Sequence, residues 1–166
     1  MSLEKQGPGA ILILVILSTD KTQLTLFQNQ SAYPVYLTIG NIQKDIHLKP
    51  SYHAQILVGY IPTTRLEHVK NLAAQHCALA SMFHRCMCAV VAPLTSYSKT
   101  GVAMMSGNSV WHWCHPILVA YIGDYLEQVL VTCTYSSHCP KCTVPMDQPG
   151  DFTSFPLQDC EKASDI

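Results

Sequence analysis

Residues 11–18 read ILILVILS and are followed by Thr19-Asp20-Lys21. An unbroken run of leucine and β-branched residues of this length predicts a strand buried on both faces, at the centre of a sheet. The run closes on an acid, so the carboxyl end of the predicted strand carries Asp20. A second apolar stretch closes in the same way. Val102 to Tyr121 is mainly apolar, is broken by Ser106-Gly107-Asn108, and ends at Gly123-Asp124. Its later half, Pro116 to Ile122, predicts another buried strand with an aspartate at its exit.

Working outward, residues 33–42 (YPVYLTIGNI) alternate well enough for a second strand, with Pro34 tolerated at its start. Residues 53–61 (HAQILVGYI) give a third, closed by Pro62, and Lys49-Pro50-Ser51 lies in the polar turn between them. Thr63 or Thr64 is the expected helix cap, with Glu67 three residues beyond Thr64 as in a capping box. Leu66, Val69, Leu72, Ala73, Leu79, Met82, Phe83, Val90 and Val91 then recur at helical spacing, and Pro93 is expected to stop the helix. Residues 94–101 are expected as loop, and 127–135 suit either helix or strand. From Ser136 onward Pro, Gly, Ser and Asp dominate. The expected organisation is a tail at 1–10, an α/β core at 11–135 built strand-strand-strand-helix-strand, and a loop-rich, disordered tail at 136–166 containing a CxxC pair.

Length and composition agree with that outline. A chain of 166 residues has room for one core of useful size. With 48% hydrophobic and 13% charged residues, it lies far from the compositions of disordered chains. The formal net charge of −1 points to neither a nucleic-acid nor a membrane partner. The longest uninterrupted apolar run, Ile11 to Leu17, is short of the roughly 18–20 residues of a spanning helix, so no membrane span is expected. Glu4 and Lys5 precede that run and no small-x-small cleavage site follows it, which argues against a secretory leader. The eight cysteines are irregularly spaced, as in a reduced, intracellular protein rather than a disulfide framework.

The two aspartates carry the chemical expectation. Strand ends of an open mixed sheet form a rim where ligands bind. If the first and last strands are neighbours, Asp20 and Asp124 converge, and a converged carboxylate pair is costly without a cation. Magnesium or manganese is the matching partner, held by carboxylates, water and substrate phosphate. This is the ribonuclease-H-like layout, in which two metals about 3.5–4 Å apart clamp attacking and leaving oxygens. The plainer alternative is that both aspartates merely finish their strands.

Longer motifs sharpen this. LSTDKTQLT, SAYPVYLTIGNI, HAQILVGYIPTT, GVAMMSGN, CHPILVAYIGDY and EQVLVTCTY followed by CPKC resemble, in that order, the Plavaka group of fungal transposases, DDE enzymes related to the CACTA class. The resemblance runs from about Gly9 to about Gly150. It implies a ribonuclease-H-like core that cuts and joins transposon DNA with Mg2+ or Mn2+ in the nucleus. Asp20 falls on the family's first catalytic aspartate and Asp124, in Gly-Asp-Tyr, on the second. The third acid of such cores is expected further downstream, beyond Glu127, Asp147 and Asp151, so the chain is expected to be an inactive remnant of the catalytic domain. A zinc- or nucleic-acid-binding module derived from the same ancestor, without catalysis, is the alternative.

Only Arg65 and Arg85 are arginine among the ten basic residues. Relatives resemble this chain but are basic where it has Gln75-His76-Cys77, Cys88 and Trp111-His112-Trp113. Those residues are what arginine CGN codons become when cytosine turns to thymine, and Leu126 in place of proline is another such change. The expectation is a decayed copy, which TGN and CAN codons at these positions would mark in the coding DNA. Fewer arginines mean fewer phosphate contacts.

Cys139-Pro140-Lys141-Cys142 has zinc-knuckle spacing, with His138, Cys133 and Cys160 as candidates for the remaining ligands of a tetrahedral ion. His112, Cys114 and His115 are expected to be structural, because adjacent residues make poor joint ligands. Cys77, Cys86 and Cys88, with His76 and His84, fall on the helix as small apolar or surface groups.

Overall fold

In a computed structural model, residues 10–25, 30–134, 137–147 and 154–158 are described. The chain divides into two compact units, Met1–Ile122 and Gly123–Ile166. In chain order the first unit contains β1 (Ala10–Thr19), β2 (Thr22–Gln23), β3 (Ser31–Ala32), β4 (Pro34–Ile39), a single helical turn α1 (Lys44–His47), a 3-10 turn at Pro50–Tyr52, β5 (Gln55–Tyr60), α2 (Leu72–Thr100), β6 (Val102–Met105) and β7 (Trp111–Ile122). The second unit contains α3 (Tyr125–Val131).

Five strands form one mixed sheet in the order β5-β4-β1-β7-β6, and β2 pairs separately with β3. The ILILVILS run is the middle strand, as its composition requires: Leu17 is fully buried and Val15 nearly so. It runs antiparallel to β4 (Val15 opposite Ile39, Thr19 opposite Val35) and parallel to β7 (Ala10 opposite Trp113, Ser18 opposite Ile122). First and last long strands are therefore neighbours. A hydrogen bond between Thr19 Oγ1 and the Tyr121 hydroxyl fastens their ends.

Beyond the last β4 pair, a side chain continues the ladder. Asn41 Oδ1 accepts from Leu14 N at 2.8 Å, and its Nδ2 donates to Leu12 O at 3.0 Å, so one carboxamide serves two backbone groups of β1. Gly40 N donates to Leu14 O at 2.6 Å beside it, and a Cβ on Gly40 would stand 3.3 Å from the Leu14 Cβ.

Four expectations are corrected. The long helix begins at Leu72, not after Thr64, because Asn71 accepts from Ala73 N at 3.0 Å and Ala74 N at 3.2 Å, while Leu66 is left-handed (φ 50° region, at 49°) and interrupts any earlier turn. The same helix continues through Pro93, and residues 94–100 are helical rather than loop. An interior proline costs an isolated helix about 3 kcal/mol through the missing N–H and the ring clash together. Here the final turn is also tied to β7, where His115 Nδ1 donates to Ser98 O at 3.1 Å. Gly101 then ends the helix at φ 74°, and a Cβ there would fall on the Trp113 indole. The last strand starts at Trp111, five residues before Pro116, because β6 folds back on it as an antiparallel hairpin. β6 covers only Trp111 to Cys114, so the N–H that Pro116 lacks is not needed for that pairing. Finally, the 116–122 part of β7 is not buried as a whole: Leu118, Val119 and Ile122 are exposed. Of the two readings open for 127–135, helix is the one found, over Tyr125–Val131.

The core of the first unit is compact and modest: Val15, Leu17, Tyr33, Val35, Ile61, Phe83 and Cys114. Tyr33 and Phe83 stack with centroids 5.8 Å apart, tying α2 to the strands, and α2 also packs on β7. Phe83 is the buried residue of α2. By length and composition α2 would suffice to cross a membrane, which the count of uninterrupted apolar residues had not anticipated. Length and composition are all that match, and His76, His84 and Arg85 interrupt its apolar sequence.

Asn41→Ala removes the partner of two main-chain groups on the central strand. It is expected to lower stability by about 1–2 kcal/mol in urea unfolding, with Asn41→Asp, which keeps only the acceptor, falling between. An unchanged midpoint would show that the carboxamide bonds contribute nothing net.

Candidate functional site

β1 and β7 leave the sheet at the same end, since Ser18 pairs with Ile122. Asp20 comes two residues after Ser18, and Asp124 two residues after Ile122. Both aspartates are exposed. Asp20 has one long side-chain contact: Thr22 Oγ1 donates to its Oδ2 at 3.5 Å. Its carboxylate is otherwise presented to solvent, as a metal ligand must be before substrate arrives.

Asp124 belongs to the second unit and has a structural task there. It is the N-cap of α3, with Oδ1 accepting from Glu127 N at 2.7 Å. Gln128 Nε2 donates to Gly123 O at 2.8 Å and fixes the same turn. The plainer expectation, a carboxylate that finishes a local element, therefore holds for one oxygen of Asp124. A carboxylate has a second oxygen, and capping does not consume it. Glu127 is buried within α3. Asp147 is described, and Asp151 lies outside the described residues.

The cysteine pair has its own geometry. Lys141 N donates to Cys139 Sγ at 3.4 Å. That bond holds the Cys139 thiol below its ordinary value. Slight burial opposes the shift, while the Cys142 thiol and N–H and the Lys141 charge assist it. The segment is closed by the pairing of Cys142 with Leu157, and Gln158 Nε2 donates to Cys139 O at 3.3 Å and Cys142 O at 3.2 Å. Two thiols are thus held together, but among the described residues no group of three or more His, Cys, Asp or Glu gathers that could hold an ion. Cys160 lies outside the described residues.

The histidines of β7 are structural, as expected. His115 is buried and bonds the last turn of α2, Cys114 is buried beside it, and His112 Nε2 lies 3.1 Å from Ser106 Oγ within the β6–β7 hairpin. Sequence reasoning missed the cap role of Asp124, the Asn41 bracket and the bond between Thr19 and Tyr121. Only the first left a signal, since aspartate three residues before glutamate is a common helix start.

A mixed sheet whose parallel neighbouring strands each lead into an aspartate defines an α/β chain with acidic strand exits. The family model described as Plavaka transposase matches residues 1–166, and the chain belongs to that family. No curated protein matches the chain, and no solved structure does.

The lowered Cys139 thiol yields a pH-dependent expectation. A depressed pKa enriches the thiolate near neutrality, so Cys139 should be alkylated by iodoacetamide at pH 7 faster than the exposed Cys77 and Cys88. The lead should vanish as pH passes the ordinary thiol value and every thiol ionises. Peptide mass spectrometry reads this directly, and equal rates at pH 7 would contradict it.

Proposed function

We propose that this chain carries part of a ribonuclease-H-like core that cleaves and joins DNA with the help of Mg2+ or Mn2+, and that Asp20 and Asp124 are its metal-holding carboxylates. The supporting observation is the register of one strand pair. β1 and β7 are parallel neighbours, and Ser18 faces Ile122 where they end. Each aspartate is two residues beyond that pair, and two residues of extended chain reach about 7 Å at most. Both aspartates thus follow, at the same short spacing, the ends of two neighbouring strands. Membership of a transposase family implies DNA as the partner of intact relatives.

The donor set suits the ion proposed. Magnesium is commonly held by one or two carboxylates, with water and substrate phosphate completing its shell. Asp20, exposed and with one weak contact, and the second oxygen of Asp124 are hard donors of that kind. A bound ion of this class stabilises charge on a phosphodiester under in-line attack. The chain's own contribution is positional: Leu17, buried in the central strand, and the Thr19–Tyr121 bond fix the two strand ends from which the carboxylates project. Zinc suits the described residues less well, because Cys139 and Cys142 supply two of the four ligands a structural site needs. Among the described residues, the non-catalytic zinc module is therefore the less favoured reading.

Calorimetric titration of Mn2+ into the protein tests this. Asp20→Asn and Asp124→Asn should each weaken binding about ten-fold or more, equivalent to about 1.4 kcal/mol. Asparagine caps helices as well as aspartate does, so Asp124→Asn should retain the α3 cap and melt normally. An isotherm unchanged by both substitutions would end the proposal.

A further inference from the structure

Beside the carboxyl end of β1, the first unit contains an open cavity of about 430 Å3. That is within the range of small-ligand sites, roughly 300–1,000 Å3. Its wall comes from two chain segments distant in sequence: Lys21, Gln30 and Ser31 on one side, Thr63, Thr64 and Arg65 on the other, with Glu67 at the rim. Every one of these lining residues is polar or charged. Two cations, hydroxyls and a carboxamide form the donor set of an oxyanion site, not of an apolar pocket.

Three details make the cavity more than a surface dent. The chain has only two arginines, and one of them is here. Arginine's planar guanidinium matches phosphate geometry better than lysine's ammonium does. The loop that presents it is held in an unusual conformation: Leu66 is left-handed at φ 49°, and its N–H bonds Thr64 Oγ1 at 3.4 Å. Thr63 Oγ1 donates to Ser31 O at 3.0 Å and locks one wall to the other. Last, the Arg65 guanidinium meets Glu67 Oε1 at 3.6 Å, an exposed and weak ion pair. An entering phosphate can replace that carboxylate on the same guanidinium.

We infer that this cavity is a phosphate cradle for the backbone of a DNA strand, with Arg65 and Lys21 as its principal contacts and Glu67 as a built-in competitor. Lys21 directly follows Asp20, so a strand seated here runs past the first carboxylate. The inference rests on the metal-dependent reading for its choice of DNA, but the cradle itself is made of residues outside the carboxylate pair. Because the lining contacts phosphate and no base, binding is indifferent to sequence.

Fluorescence anisotropy with a short fluorescein-labelled DNA oligonucleotide, in EDTA across a salt series, tests the cradle. Arg65→Gln and Lys21→Gln should each weaken binding several-fold and lower the slope of log K against log salt by about one, and the double variant by about two. Glu67→Gln should tighten binding, a gain that a misfolded variant would not show. Unchanged affinity in the double variant, or no gain in Glu67→Gln, overturns the cradle. Displacement of the oligonucleotide by low concentrations of inorganic phosphate would also overturn it, by indicating a free-anion site. The two readings fail separately: Mn2+ binding that depends on Asp20 with DNA binding indifferent to Arg65 removes the cradle alone, and the converse removes the metal site alone.

Discussion

The parallel pairing of β1 with β7 is the constraint on which the rest depends. Parallel neighbours cannot be joined by a tight turn, so the chain must travel elsewhere before returning. β4, β5, α2 and β6 are that excursion. The return in register brings Ile122 opposite Ser18 and the Tyr121 hydroxyl onto Thr19. Once both strands end together, the identity of the residues that follow becomes a chemical question, and both are aspartates within two positions. Leu17, fully buried at the middle of the sheet, anchors the arrangement energetically. Asn41 secures the other end of the same strand by serving Leu12 and Leu14.

What could be read from the sequence followed from composition that has a single physical outcome. ILILVILS favours the middle of a sheet, and its central place was legible for that reason. Burial on both faces was not found, since only Val15 and Leu17 of the run are buried and Ile11 is exposed. β4 and β5 were placed within a few residues and the end of β7 correctly, whereas β6 was not read as a strand at all. Boundaries failed where tertiary contacts overrule local preference. Pro93 breaks an isolated helix, but the His115–Ser98 bond holds the turn beyond it. Trp111-His112-Trp113 alternates over only three residues, too short to read as a strand by itself, and is strand where β6 pairs with it. The cavity at Lys21 and Arg65 was invisible, since its walls are common polar residues more than thirty positions apart with no motif between them. Asp20 and Asp124 were legible as strand exits, and the Asp124–Glu127 spacing carried a signal for the helix cap that the reading passed over.

The arginine shortage gains a structural context. Cys77 and Cys88 are exposed on α2, and Trp111 and Trp113 are 67% and 53% exposed on β7. Large indoles at solvent positions are unusual, while arginine at such positions is ordinary. Gln75 and His112, of the same set, are instead half-buried and hydrogen-bonded, to Arg65 O and to Ser106 Oγ. The exposed placement of the other four fits the modest core, because changes at exposed sites cost little stability and leave the β1–β7 frame intact. Trp113 has nevertheless acquired a packing partner, lying against Gly101, where only a residue without a Cβ fits. If the replacements removed phosphate contacts elsewhere, Arg65 and Lys21 are the cationic pair that still shares one cavity.

The most direct test of the central claim is a crystal structure of the protein grown with Mn2+, read by anomalous scattering. The account predicts a manganese peak within coordination distance of carboxylate oxygens from both Asp20 and Asp124, at the shared end of β1 and β7. Two aspartates directed apart, with manganese at neither or at only one of them, would contradict it.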